Sequence, residues 1–233
     1  MQQSIYIYKP LFSIVTIIIS SILCNAQTPN DSVVSDTILP SKVVQRGDVL
    51  LGVDVFTPAL SFFTDRKEFQ AMLQYRLHNS WYGVAEVGFG NNRINENSWA
   101  AEVSGMFGKI GFNYMVSEDE ANPTSGFYVG SRFAYAHYEQ TYTKIPVRDL
   151  TTGEVVSTYA LPQNKVNAYW AELVAGARMN LVKNLYLDFS IHPAFYIGGK
   201  KDNGLESKVI PGYGKHNTIM NLPVFWGLTY KLF

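Results

Sequence analysis

The chain has 233 residues and no net formal charge, with 16% charged and 14% aromatic residues. Its charge density is below the quarter usual for soluble domains, and no basic excess exists to attract nucleic acid or anionic lipid. A mean hydropathy of −0.03 excludes a helical membrane bundle, where each span needs about 20 apolar residues. It suits a transmembrane barrel, in which only alternate residues face lipid.

Residues 1–26 read as a secretory signal peptide: Lys9, an apolar run from Leu11 to Leu23, then Cys24-Asn25-Ala26. Cys24 is the single cysteine, so an internal disulfide and a cysteine-based metal cluster are excluded. Its alternative reading as a lipidation site is disfavoured by the bulky Leu23 before it. Residues 27–47, rich in Thr, Ser, Asp and Pro, form a flexible periplasmic lead-in. The barrel domain is expected over 48–233.

From Asp48 the hydrophobic period is two. The first strand, 48–57, places Val49, Leu51, Val53 and Val55 opposite Gly52 and Asp54. The second, 67–78, places Phe69, Leu73, Tyr75 and Leu77 opposite Gln74 and Arg76. Asn79-Ser80 is a tight turn into a third strand with Trp81, Ala85, Val87 and Phe89 on one face and Glu86 on the other. After a loop at 91–97, the fourth strand (98–116) presents Trp99, Ala101 and Val103 and then Ile110, Phe112 and Tyr114. This change of parity predicts a bulge between Gly105 and Gly108. The fifth strand, 126–143, opposes Phe127, Val129 and Phe133 to Arg132. Lys144–Lys165 reads as the longest loop. The sixth strand opposes Tyr169, Leu173 and Met179 to Trp170, Glu172 and Arg178, and the seventh Leu187, Phe189 and Ile191 to Asp188, Ser190 and His192. A loop over 198–217 precedes the last strand, whose apolar face carries Leu222, Val224, Trp226, Leu228, Tyr230 and Leu232. On that parity Phe233 lies beyond the apolar face.

The pattern predicts an all-β fold: an eight-stranded antiparallel, up-and-down transmembrane barrel in the outer membrane, with both termini periplasmic. Trp81, Trp99 and Tyr169 suit an interfacial girdle. Eight strands enclose an interior that side chains can fill, so Asp54, Arg76, Glu86, Glu102, Arg132, Glu172, Arg178 and Asp188 are expected to form a paired polar network in the lumen. Lys231 is a further candidate for the inward face. A row of Asp188, Ser190 and His192 suggests a hydrolase, but on a regular strand these lie about 7 Å apart at each step, and no Gly-x-Ser-x-Gly elbow is present. His78 and His137 are expected at the rim or surface. His216 has no second ligand at metal spacing. No catalytic residue, metal or cofactor is therefore assigned, and a non-enzymatic structural or surface-binding role is expected. The alternatives are a lipid-modifying enzyme of the deacylase or acyltransferase type, a narrow channel, or a soluble lipocalin-like barrel. Expected partners are outer-membrane lipid and the barrel-assembly machinery during biogenesis, with no nucleic acid and an undefined external ligand.

The run Ile210-Pro211-Gly212-Tyr213-Gly214-Lys215, with Ile110-Gly111-Phe112-Asn113-Tyr114, Phe127-Tyr128-Val129-Gly130-Ser131-Arg132 and Trp170-Ala171-Glu172-Leu173-Val174-Ala175-Gly176, resembles a family of small, uncharacterised outer-membrane barrels of Bacteroidota, catalogued as a domain of unknown function. The resemblance implies architecture and localisation but no reaction. Ile210–Lys215 is the candidate functional loop, because Pro and two Gly define its turn. Its alternative role is to cap the barrel mouth.

Overall fold

A computed structural model describes residues 47–233 other than 62, 65, 97–98, 120–121, 201–206 and 217–219. The expected signal peptide, and all of the lead-in before Gly47, lie outside the described residues. The first six strands are β1 (Val49–Asp54), β2 (Arg66–His78), β3 (Trp81–Glu96), β4 (Trp99–Glu118), β5 (Gly126–Arg148) and β6 (Val155–Val182). The seventh wall of the barrel is split into β7 (Leu185–Ile191) and β8 (Ala194–Gly199), and the eighth into β11 (Met220–Asn221) and β12 (Val224–Lys231). Every neighbouring pair is antiparallel, and β12 pairs with β1, so the sheet closes on itself. The fold is thus an eight-stranded antiparallel barrel. Closure removes the edge strands that would otherwise present unpaired backbone groups. Among the described residues no helix is long and apolar enough to cross a membrane.

Tight turns at Asn79-Ser80 and Lys183-Asn184 join strands at the end that holds the chain ends; Asn79 and Lys183 take positive φ, 42° and 39°. At this end Val49 N–H donates to the Phe233 carbonyl at 3.0 Å. The opposite end carries the two longest connections, between β1 and β2 and between β8 and β11. The alternation expected from the sequence sets the two faces. Phe69, Leu73, Val87, Ile110 and Phe133 point outward and are exposed, whereas Gln74, Arg76, Glu86, Arg132 and Asp188 are buried inside.

Five expectations are corrected, the first being the loop at 91–97, whose residues 91–96 are strand because β3 runs to Glu96 and stays paired with β4. The first strand ends at Asp54, not 57: Asp54 Oδ1 accepts from Phe56 N–H at 3.0 Å and Thr57 N–H at 3.3 Å, turning the chain into the short helix α1 (Phe56–Leu60). No bulge interrupts 105–108; β4 stays in register with β3 over Trp99–Tyr114 and with β5 over Ala101–Met115. Ala101, Val103, Phe107 and Lys109 all point inward. The apparent change of parity arises because the lumen is apolar at one end and polar in the middle. The expected loop 144–165 is mostly strand, since β5 runs to Arg148 and β6 starts at Val155, leaving a tip in which Thr151 and Thr152 N–H groups donate to Asp149 Oδ1. The expected loop 198–217 contains a two-stranded hairpin, β9 (Val209–Ile210) with β10 (Gly214–Lys215).

Close strand approach depends on glycine at a few inward positions. A Cβ on Gly111 would fall 1.9 Å from the Ser131 carbonyl oxygen, whereas one on Gly108 would meet nothing nearer than 3.8 Å. Gly111→Val is therefore expected to lower unfolding free energy by about 1–3 kcal/mol or more, and Gly108→Ala to leave it nearly unchanged. Denaturant titration followed by tryptophan fluorescence measures both.

Candidate functional site in the barrel lumen

The middle of the lumen is a closed circuit of charged and polar side chains contributed by six strands. Arg178 Nε lies 2.8 Å from Asp188 Oδ2, and Arg178 Nη2 donates to Gln74 Oε1 at 2.8 Å. Asn113 Nδ2 donates to the same Gln74 oxygen at 3.4 Å, and its Oδ1 accepts from Arg132 Nη2 at 2.9 Å. Arg132 Nε donates to Glu86 Oε1 at 2.9 Å. Lys109 Nζ then spans two carboxylates, 4.0 Å from Glu86 Oε2 and 2.8 Å from Glu172 Oε1. Glu172 Oε2 meets His192 Nδ1 at 2.9 Å, and His192 Nε2 meets Ser190 Oγ at 2.8 Å. Ser190 stands beside Asp188 on the inward face of β7, and Asp188 Oδ1 accepts from Tyr128 OH at 2.5 Å, which returns the circuit to its start.

Each ion in this circuit is buried and paired. That matters because the penalty for taking a charge out of water is several kcal/mol, offset only by close partners. Toward the chain ends, Arg76 continues the polar layer, with Nε 3.0 Å from Asp48 Oδ2 and Nη2 donating to the Pro123 carbonyl at 3.0 Å. Lys231 Nζ reaches Asp48 Oδ1 at 3.0 Å from a partly exposed rim position. The connection between β4 and β5 folds under the barrel here, and Tyr186 OH donates to Asn122 Oδ1 at 3.2 Å.

Toward the other end apolar side chains predominate, with Glu68, Asn92 and Gln140 buried beside them. Val103, Phe107, Ala134, Ala136, Val166, Ala168, Trp170 and Ala194 form one buried cluster with Ile210 and Tyr213. The β9–β10 hairpin therefore enters the mouth rather than projecting from it, which is the capping role given above as this loop's alternative. Ile210, Pro211, Gly212, Tyr213 and Gly214 are buried, and only Lys215 of the candidate loop is exposed. Gly212 has φ 75°, and a Cβ there would fall 2.5 Å from the Phe107 ring, so this turn requires glycine. Tyr213 packs edge-on against Trp170 at 5.7 Å. Polar ties hold the base of the plug: Tyr138 OH donates to Ser207 Oγ at 2.6 Å, and Asn221 Nδ2 to the Tyr213 carbonyl at 2.5 Å.

Of the residues expected in the lumen network, Arg76, Glu86, Arg132, Glu172, Arg178 and Asp188 lie in these buried polar layers. Asp54 is buried but caps α1. Glu102 is misplaced by the supposed bulge: it points outward, exposed, and pairs with Arg93 at 2.9 Å. Trp99 for the same reason faces inward, against Tyr142, while Trp81 and Tyr169 point outward. His78 and His137 are exposed. His216 stacks on Tyr196 at 4.1 Å beside the plug. Sequence reasoning missed Lys109, Gln74, Asn113 and Tyr128. Each stands at inward parity, which was the available signal. It also placed Ser190 and His192 too far apart. The chain leaves the strand at His192-Pro193, between β7 and β8, and this break turns the imidazole back onto Ser190 and across to Glu172 rather than Asp188.

Among the described residues no three His, Cys, Asp or Glu side chains converge as a metal site would require. A family model described as Domain of unknown function (DUF6048) matches residues 7–232. The chain belongs to this family. No curated protein matches it. The DUF6048 description assigns no activity, so the chemistry rests on the residues themselves.

Removing one ion of the circuit should cost more than removing a pair. Arg178→Met strands Asp188 and is expected to cost about 3–5 kcal/mol. Combining it with Asp188→Leu should recover a large part of that loss, as read in a double-mutant cycle of denaturant midpoints.

Proposed function

We propose that the chain is an integral outer-membrane barrel protein with its lumen sealed, acting as a structural or binding protein through the long-hairpin end. The observation that carries this reading is the inversion of burial. Charged residues fill the inside, while Phe69, Leu73, Val87, Ile110, Phe112 and Phe133 stand exposed around the outside. A soluble lipocalin-like barrel would have the reverse arrangement, because its outer face meets water. On this reading the chain ends and the two tight turns face the periplasm and the two longest connections lie at the other end, the arrangement that outer-membrane barrels favour. The β5–β6 hairpin then extends to the cell exterior. Its far end bears the exposed Val147, Leu150, Val156 and Tyr159, an apolar surface suited to contact with another molecule.

Two features support a sealed lumen over a channel. The polar circuit fills the middle, and the apolar cluster with Ile210 and Tyr213 packs the far mouth. The same packing keeps Ser190, His192 and Glu172 from solvent in this closed form, at 3% exposure or less. Outer-membrane lipid and, during biogenesis, the barrel-assembly machinery are the partners this reading implies.

Charge placed on the outer band tests the membrane assignment. Phe133→Arg or Ile110→Arg is expected to destabilise the barrel by about 2–4 kcal/mol in lipid, and the native chain should stay with membranes through alkaline carbonate extraction. Release by salt alone, with both arginine variants neutral, would contradict the assignment.

A further inference from the structure

We propose that Ser190 is the nucleophile of an acyl-ester hydrolase whose acyl site is occupied, in this structure, by the chain's own β9–β10 plug. This goes beyond the closed-form role above, and the barrel reading stands whether or not it holds.

The first observation is the order of protons along Ser190, His192 and Glu172. A carboxylate only accepts, so the 2.9 Å contact with Glu172 fixes the proton of the neutral imidazole on Nδ1. Nε2 is then the acceptor facing Ser190 Oγ at 2.8 Å. Nucleophile, base and orienting carboxylate stand in the relation that activates a serine hydroxyl. Glu172 is itself fixed, because its other oxygen accepts from Trp170 Nε1 at 2.6 Å and pairs with Lys109 at 2.8 Å. The protonated ring is accommodated as well, since Nε2–H can donate to Ser190 Oγ while Nδ1–H stays on Glu172. A base that must gain and lose a proton needs partners in both states.

The second observation lies above the triad. Four inward wall positions, Ala134, Ala136, Ala168 and Ala194, carry small side chains, and the space they leave is filled by Ile210 and Tyr213, both 0% exposed. Tyr213 rests on Trp170, the residue that donates to the triad carboxylate. The plug strands pair only with each other and form no part of the barrel ladder, so the plug can leave without breaking a strand pairing of the wall. What it would vacate is the space lined by Val103, Phe107, Val166 and these alanines above Trp170, an apolar chemistry that fits an acyl chain.

In the reaction, Ser190 Oγ attacks the ester carbonyl carbon and its proton passes to His192 Nε2. The carbon–oxygen bond to the alcohol breaks, and the alcohol leaves with that proton. Water then attacks the acyl-serine through the same base, releasing the acid and restoring Ser190. Ester and water become acid and alcohol, with no other reactant. Glu172 is a positioning residue that holds the ring and stabilises its protonated form.

The test uses the full chain folded in detergent and an alkyl fluorophosphonate, with adducts located by peptide mass mapping. Gly212→Val with Tyr213→Ala displaces the plug. This variant should be labelled at Ser190 about a hundredfold faster than wild type, and His192→Gln in the same background should remove about a hundredfold. It should also hydrolyse a p-nitrophenyl octanoate ester, with Glu172→Gln suppressing turnover and Glu172→Asp restoring part of it. A plug variant that keeps the heat-modifiable mobility of a folded barrel but carries no adduct on Ser190 overturns the proposal. Should the variant fail to fold, prolonged exposure of the wild-type barrel decides: slow labelling confined to Ser190 supports the proposal, and none, or labelling unchanged by His192→Gln, overturns it.

Discussion

The constraint on which the rest of the molecule depends is that a buried charge must be paired. An eight-stranded barrel has no room in its lumen for bulk water around its side chains, yet this one buries four cationic side chains, Arg76, Lys109, Arg132 and Arg178, in its interior. The circuit from Arg178 through Glu86, Lys109, Glu172 and His192 back to Asp188 answers that constraint across the middle of the barrel. Because its members come from β2, β3, β4, β5, β6 and β7, the pairing also ties those six strands to one another across the lumen. One donor of the circuit, Arg178 Nη1, is buried without a hydrogen-bond partner among the described residues, so the network is closely but not completely satisfied.

The apolar end follows a different logic. There the wall supplies small residues and cannot fill the lumen alone, so the chain returns a loop to do it. Gly212 permits the turn, Ile210 and Tyr213 supply the volume, and Ser207 and Asn221 supply the polar ties. The barrel therefore has two kinds of core in series, ionic in the middle and hydrophobic at the far mouth. The triad sits where they meet, with Trp170 touching Tyr213 on one side and Glu172 on the other.

Most of the architecture was legible in the sequence, because alternation along β2, β3, β5, β6 and β12 is set by an outer face that is apolar throughout. Alternation is informative only while the two faces differ. Where the lumen turns apolar, at Ala101 and Val103, both faces look alike, and the pattern counterfeits a bulge; Glu102 and Trp99 were assigned to the wrong faces for that reason. The long β5–β6 hairpin was hidden for a related cause, since beyond the apolar band nothing requires alternation. The triad was illegible because it depends on a backbone break at His192-Pro193 and on a carboxylate from the neighbouring strand. The plug's composition marked an ordered turn, but no local signal said that it folds inward.

On the proposed reading the lumen is sealed, by ions in the middle and by the plug at the mouth. Single-channel recording on the purified chain in planar bilayers tests this most directly. The sealed arrangement predicts a silent membrane at moderate voltage, with insertion verified independently by protease protection of the barrel. Steady, ohmic conductance steps from the unmodified chain would contradict it.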